Sequence, residues 1–176
     1  MDIVNAFDIL SSVEDYVIHN LPDKKNIQHI GYKIVALARI NGAKGQIYKD
    51  SRKRTNISHV DIGKKWTELE HMANSEIKNV ADRIYVLAIL AKEMHFWKKG
   101  KAEELLKKLS DIEIYKIPAL LVRMNRIELI AQIWGKWEHK KQARVLCNQL
   151  MRLINELSPL RQDRKLENII QAAYEI

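Results

Sequence analysis

Apolar residues in this chain recur every three to four positions with few interruptions, and that spacing leaves little room for anything but α-helix. Counting from Ile84, the residues Leu87, Ala88, Ala91 and Met94 fall at i+3, i+4, i+7 and i+10, along one face of a helix. Ala102, Leu105, Leu106, Leu109 and Ile112 obey the same rule, as do Leu120, Leu121, Met124, Ile127, Ala131 and Trp134. So do Ala143, Leu146, Cys147, Leu150, Ile154 and Leu157. No stretch of useful length alternates apolar with polar residues as a half-buried strand does. Six Gly and three Pro in 176 residues suit long helices better than a turn-rich sandwich. Leu21-Pro22-Asp23 ends the first helix and begins the next. Pro118 and Ser158-Pro159 mark further helix starts, where the missing N–H of proline costs little. The expectation is an all-α chain of about seven to eight helices, one domain over residues 1–176, with residues 1–22 as an N-terminal capping helix.

The helices also repeat. "KIVALARI" (33–40), "RIYVLAIL" (83–90) and "RIELIAQI" (126–133) each set a basic residue before Ile and place an Ala five residues after the basic one: Ala38, Ala88 and Ala131. Each is followed by a second apolar register: Trp66/Leu69/Ala73, Ala102/Leu105/Leu109 and Ala143/Leu146/Leu150. These are antiparallel helix pairs that cannot bury a face alone and gain a core by stacking. A half-unit, "LENIIQAAY" (166–174), closes the far end. Over roughly residues 26–175 the chain resembles the tetratricopeptide-like superfamily of helical-hairpin repeats. The resemblance rests on those alanines and on the second helices "KAEELLKKL" (101–109) and "QARVLCNQL" (142–150). It implies stacked hairpins forming an α-α superhelix. The alternative is an irregular helical bundle, since the shared alanines are 50 and then 43 residues apart.

Bulk composition narrows the function classes. Apolar residues make up 47% and charged residues 30%, which fits a folded chain and neither a disordered one nor a membrane span. The opening stretch "MDIVNAFDILSSVEDYVIHN" is acidic and broken by polar residues, unlike a secretory leader. One cysteine, Cys147, permits no intrachain disulfide and suits a reducing compartment, so a cytoplasmic location is expected.

The net charge of +8 is unevenly spread. The first unit has a long gap between its two helices, read as a basic inserted loop at residues 43–60. Residues 42–65 carry seven Lys/Arg against two Asp, and so supply +5 of the total. In a stack of hairpins every first-to-second turn lies on one edge. Those turns are "NGAKGQIYKDSRKR" (41–54), "HFWKKGK" (95–101) and "WGKWEHKK" (134–141), each holding cations, glycine and an aromatic ring. The opposite turns hold Glu76, Asp82, Asp111, Glu113 and Glu156. The pattern predicts a basic edge made of Lys44, Lys49, Arg52, Lys53, Arg54, Lys98, Lys99, Lys101, Lys140 and Lys141, with Trp97 and Trp137 among them. Cations at the end of a helix favour its dipole by about 0.3–1 kcal/mol. Lys101, Lys140 and Lys141 start helices instead, so the dipole leaves them unexplained. Cations beside rings suit an acidic protein segment, or a nucleic-acid backbone with stacked bases.

Motifs for chemistry are scarce. "GAKG" (42–45) imitates the loop of the KH RNA-binding fold but lacks flanking strands. No phosphate-binding loop, dinucleotide fingerprint or zincin motif occurs. The six His are scattered, and no close pair stands at metal-ligand spacing. His139 and Cys147 lie about 12 Å apart along one helix, too far for a nucleophile and its base. Cys147 sits on an apolar stripe as a small core residue. The expectation is a non-enzymatic module with no cofactor and no metal, which recognises a protein partner, with a homodimer as one option. RNA or DNA is the alternative ligand, and a helical enzyme whose site converges from distant helices is the third class.

Overall fold

A computed structural model describes residues 3–21, 27–50 and 59–157, and among them it is all-α, with no strand. Seven helices follow in order: α1 (Ile3–Asn20), α2 (Ile27–Asp50), α3 (His59–Glu76), α4 (Val80–Met94), α5 (Lys99–Asp111), α6 (Leu120–Lys136) and α7 (Lys140–Ile154). One 3-10 turn, Glu113–Lys116, separates α5 from α6. Where one domain is expected from the sequence, the chain gathers into two compact units, Met1–Leu105 and Leu106–Ile176. No helix among the described residues is long and apolar enough to cross a membrane.

In the first unit α2 packs against α1, α3 and α4, and α3 packs against α4. α4 is buried nearly all round: Ile84, Val86, Leu87, Ala88, Ile89, Leu90, Ala91 and Met94 are all inside. That is the pattern of a helix at the centre of its unit. Trp66, Leu69 and Ala73 of α3, the stripe that the periodicity predicts, are each fully buried. Removing one such Leu side chain would cost about 2–5 kcal/mol in lost transfer energy and cavity.

The basic loop expected at 43–60 needs correction. α2 runs on to Asp50 and α3 begins at His59, and residues 51–58 lie outside the described residues. The buried face of α2 passes from Ile34, Leu37 and Ala38 through Asn41, Lys44 and Gly45 at unbroken helical spacing. Its last members are polar or lack a side chain, so hydropathy alone ends the helix too soon. Asn41 donates to the Ile62 carbonyl at 3.2 Å, and a Cβ on Gly45 would sit 3.1 Å from the Trp97 ring. This glycine serves close packing inside a helix, where the sequence suggests a turn.

The basic residues that open the repeating helices also have a structural duty. Lys33 is buried and donates to the Ile18 carbonyl at 2.9 Å, tying off the end of α1. Arg83 donates to the Ile77 carbonyl at 3.3 Å, and Arg123 to the Ile117 carbonyl at 2.9 Å. Each bond satisfies a part-buried main-chain oxygen at or just beyond the end of a helix. Arg83 and Arg123 are the fourth residues of α4 and α6, and each reaches back six residues. The equivalent of Arg83 is thus Arg123, three residues before the Arg126 singled out by the sequence pattern. Asn79 caps α4, its side chain accepting from the Asp82 N–H at 3.1 Å.

In the second unit α6 packs along α7. Met124, Ile127, Ile130, Ala131, Ile133 and Trp134 of α6 and Ala143, Leu146, Leu150 and Ile154 of α7 are all buried. Ile112, expected on the α5 stripe, is 55% exposed, because the helix stops at Asp111. The α6–α7 turn is a closed helix stop: His139 N–H bonds the Trp134 carbonyl at 3.0 Å and Glu138 N–H the Gly135 carbonyl at 2.9 Å. Such a stop needs a left-handed residue, and Glu138 takes that conformation with φ 63°.

Candidate binding surface

The residues expected on a basic edge meet three different fates. Lys44 lies on the buried face of α2, and its ammonium bonds a Glu14 carboxylate oxygen of α1 at 2.5 Å. The other Glu14 oxygen pairs with Lys65 of α3 at 3.2 Å, and the Phe7 ring lies 5.7 Å from the Lys44 ammonium. Burial alone would raise the Glu14 pKa. The bonds and charge of Lys44, with Lys65 behind, outweigh it and hold the carboxyl below its usual range. Glu14 therefore latches α1 to both α2 and α3, and Lys44 is no part of an open edge, because its charge is matched by that carboxylate.

A second group does come together in the first unit, from elements distant in sequence. Lys49, on the last turn of α2, sits over the Phe96 ring at 4.5 Å and donates to the Phe96 carbonyl. Tyr48 meets Trp97 edge to face at 5.6 Å, and Trp97 rests on Gly45. A Cβ on Gly63 of α3 would stand 3.3 Å from the Lys98 ammonium, so the Lys98 stem lies across that helix. Lys99 points outward, 67% exposed, with Glu103 at 3.9 Å. Lys101 pairs with Glu70 of α3 at 2.9 Å. At the middle of this group Phe96 stays 49% exposed. The sequence brings Phe96 to notice only as one ring of "HFWKKGK", and its central place depends on α2 extending to Lys49.

The third group lies in the second unit. Trp137 and His139 stand edge-on to Trp134 at 5.4 Å and 5.1 Å, an aromatic corner under the α6–α7 turn. Lys140 and Lys141 are exposed there. Lys141, Gln142 and Val145 of α7 line a groove of about 250 Å³ with Lys107 and Asp111 of α5, over Trp134. Asp111, expected on an acidic edge, and Lys141, expected on a basic one, share this groove. Charge is not sorted onto opposite edges here, because the last turn of α5 lies near the first half of α7. Arg52, Lys53 and Arg54 fall outside the described residues.

Two further features escaped the sequence reading. α1 leaves Ile9, Val13 and Tyr16 exposed along one face, and Val145 and Met151 of α7 are exposed as well. Apolar residues on both faces of "IVNAFDILSSVEDYVIHN" are the signal that could have shown the first. Among the described residues no three His, Cys, Asp or Glu side chains gather as metal ligands would. Burial raises the Cys147 thiol, which keeps it protonated and a poor nucleophile at neutral pH. No family model, curated protein or solved structure matches the chain.

Proposed function

We propose that the chain is a non-enzymatic binding module that recognises an acidic segment of a protein partner, at the corner where Lys49, Phe96, Lys98 and Lys99 meet. The observation that carries this reading is Phe96: a large ring, half exposed, set among cations drawn from two separated elements. An aromatic anchor with charges around it is the usual make-up of an interaction hot spot. Lys98 and Lys99 supply attraction at a distance, and the ring supplies contact area. The scaffold on which this corner is mounted reads best as stacked helical hairpins. The pairing of α2 with α3 and of α6 with α7 supports this, as do the matching carbonyl bonds of Arg83 and Arg123. The lone cysteine favours work in the cytoplasm.

A second reading has a specific observation in its favour. A half-exposed ring between lysines also suits a single-stranded nucleic acid, with a base on Phe96 and phosphates on the ammonium groups. Fluorescence anisotropy separates the two. A labelled peptide of mixed Glu and Leu and a labelled oligothymidine are each titrated with the chain at low salt. On the first reading the peptide binds, and Phe96→Ala or Lys98→Glu/Lys99→Glu weakens it about tenfold or more. Tighter oligothymidine binding that falls steeply with salt selects the second reading. If neither probe binds at low salt, both readings fail.

A further inference from the structure

α1 is an unusual outer helix because it carries two apolar faces. Ala6, Phe7 and Val17 are buried against the first unit. Ile9, Val13 and Tyr16 follow at helical spacing on another face, and Tyr16 is 65% exposed. Asp8 and Asp15 flank this second face, and both are exposed. The helix contains no Lys or Arg, and its remaining carboxylate, Glu14, is turned inward to Lys44. The outer side of α1 is thus an apolar stripe with a purely acidic border, in a chain whose net charge is +8.

α7 is its chemical complement. Its buried side is Ala143, Leu146, Leu150 and Ile154. Its other side exposes Val145 and Met151 among Lys141, Arg144 and Arg152, and the helix contains no Asp or Glu. None of these three cations has an ion-pair partner among the described residues. Beside Val145 opens the groove over Trp134, with room for a side chain.

We propose that the outer face of α1 on one copy docks on the exposed face of α7 on a second copy. Tyr16 enters the groove beside Val145, and Asp8 and Asp15 face the α7 cations. The charges select this pairing over its rivals. Two α1 faces brought together would oppose acid with acid, and two α7 faces base with base. The two patches differ, so the contact is head-to-tail and leaves one patch of each kind unused at the ends. Assembly then grows with concentration into short chains or a closed ring. A single helix docked on another is a small interface, so the association is weak and salt-sensitive.

Sedimentation velocity over a wide concentration range tests this. The wild-type chain at low salt should rise in average mass with concentration and return toward monomer at high salt. Asp8→Lys/Asp15→Lys and Arg144→Glu/Arg152→Glu change exposed positions only and should keep their helix content by circular dichroism. Each alone should stay monomeric, since each makes its two patches alike in charge. An equimolar mixture of the two variants should associate again, because every patch then finds an opposite. Tyr16→Ser and Val145→Ser should each weaken wild-type association about tenfold, with no change of charge. The proposal is overturned by a wild type that stays monomeric at low salt, by either charge reversal associating as wild type does, or by a mixture that stays monomeric.

Discussion

Two corners of the molecule are built from the same kinds of residue and do different things. At the α2 end and α4–α5 turn, Lys44, Lys49 and Lys101 are engaged with Glu14, the Phe96 carbonyl and Glu70. At the α6–α7 turn, Lys140 and Lys141 are exposed and have no ion pair among the described residues. The first corner is packed tightly, with Trp97 lying on Gly45. The second closes through a strained glutamate. A run of lysines in sequence therefore has no fixed meaning: its role is set by whether a carboxylate and an apolar neighbour fold onto it.

The comparison breaks most easily at Glu14. Glu14→Gln leaves Lys44 buried beside a neutral partner and leaves Lys65 with Glu68 alone, at 3.9 Å, which should cost about 2 kcal/mol. Lys44→Met should cost less, because Glu14 still pairs with Lys65. Lys141→Ala, in the other corner, should stay within about 0.5 kcal/mol of wild type. The pH dependence follows from the sign of the shift. The folded Glu14 pKa lies below its usual range, so its ion pairs contribute fully above the ordinary glutamate value of about 4.3. That contribution is lost as pH falls through the folded value. The melting temperatures of wild type and Glu14→Gln should differ by several degrees at pH 7 and converge in acid. A gap that stays constant down to about pH 3 would mean that the pair is not what the substitution disturbs.

How much of this could be read in the sequence depended on what carried each helix face. Where Leu, Ile and Ala made the stripe, as in α4, α6 and α7, the buried residues follow the periodicity closely. The end of α2 is hidden from hydropathy because its inward positions are Asn41, Lys44 and Gly45, which carry no such signal. The same gap hid the candidate surface: Lys49 can reach Phe96 only from a helix that continues to Asp50. The place of Lys44 is hidden for a related reason, since its partner Glu14 is 30 residues away and nothing local reveals the pairing. The outer stripe of α1 was visible as spacing but not as exposure, because a second apolar face looks the same whether it is covered or bare.

A sharper form of the comparison concerns the two glycines of the first corner. Gly45→Ala places a methyl 3.1 Å from the Trp97 ring, closer than a ring can easily yield. Overpacking costs about 1–3 kcal/mol, and the better helix propensity of Ala returns up to about 1. The net loss should be about 1 kcal/mol. Gly100→Ala meets nothing within 4 Å and should be neutral or slightly stabilising. Urea unfolding of the pair reads the difference directly. If both substitutions stabilise, Trp97 does not rest on α2 and the corner is looser than described.

The last effect belongs to the second corner and is a gain in stability. Glu138 holds the left-handed position of the α6–α7 stop, where a side chain with a Cβ is disfavoured by about 1–2 kcal/mol. Glu138→Gly removes that strain and adds back some freedom to the unfolded chain, so the net gain should be about 0.5–1 kcal/mol. Glu138→Ala keeps the Cβ and should gain nothing, which separates backbone strain from any effect of the carboxylate. The stop is held by two main-chain bonds that a glycine leaves intact, His139 to Trp134 and Glu138 to Gly135. The gain should therefore leave near-ultraviolet circular dichroism from the Trp134 corner unchanged. If Ala and Gly prove equal, the left-handed turn is not strained, and the second corner is closed as comfortably as the first.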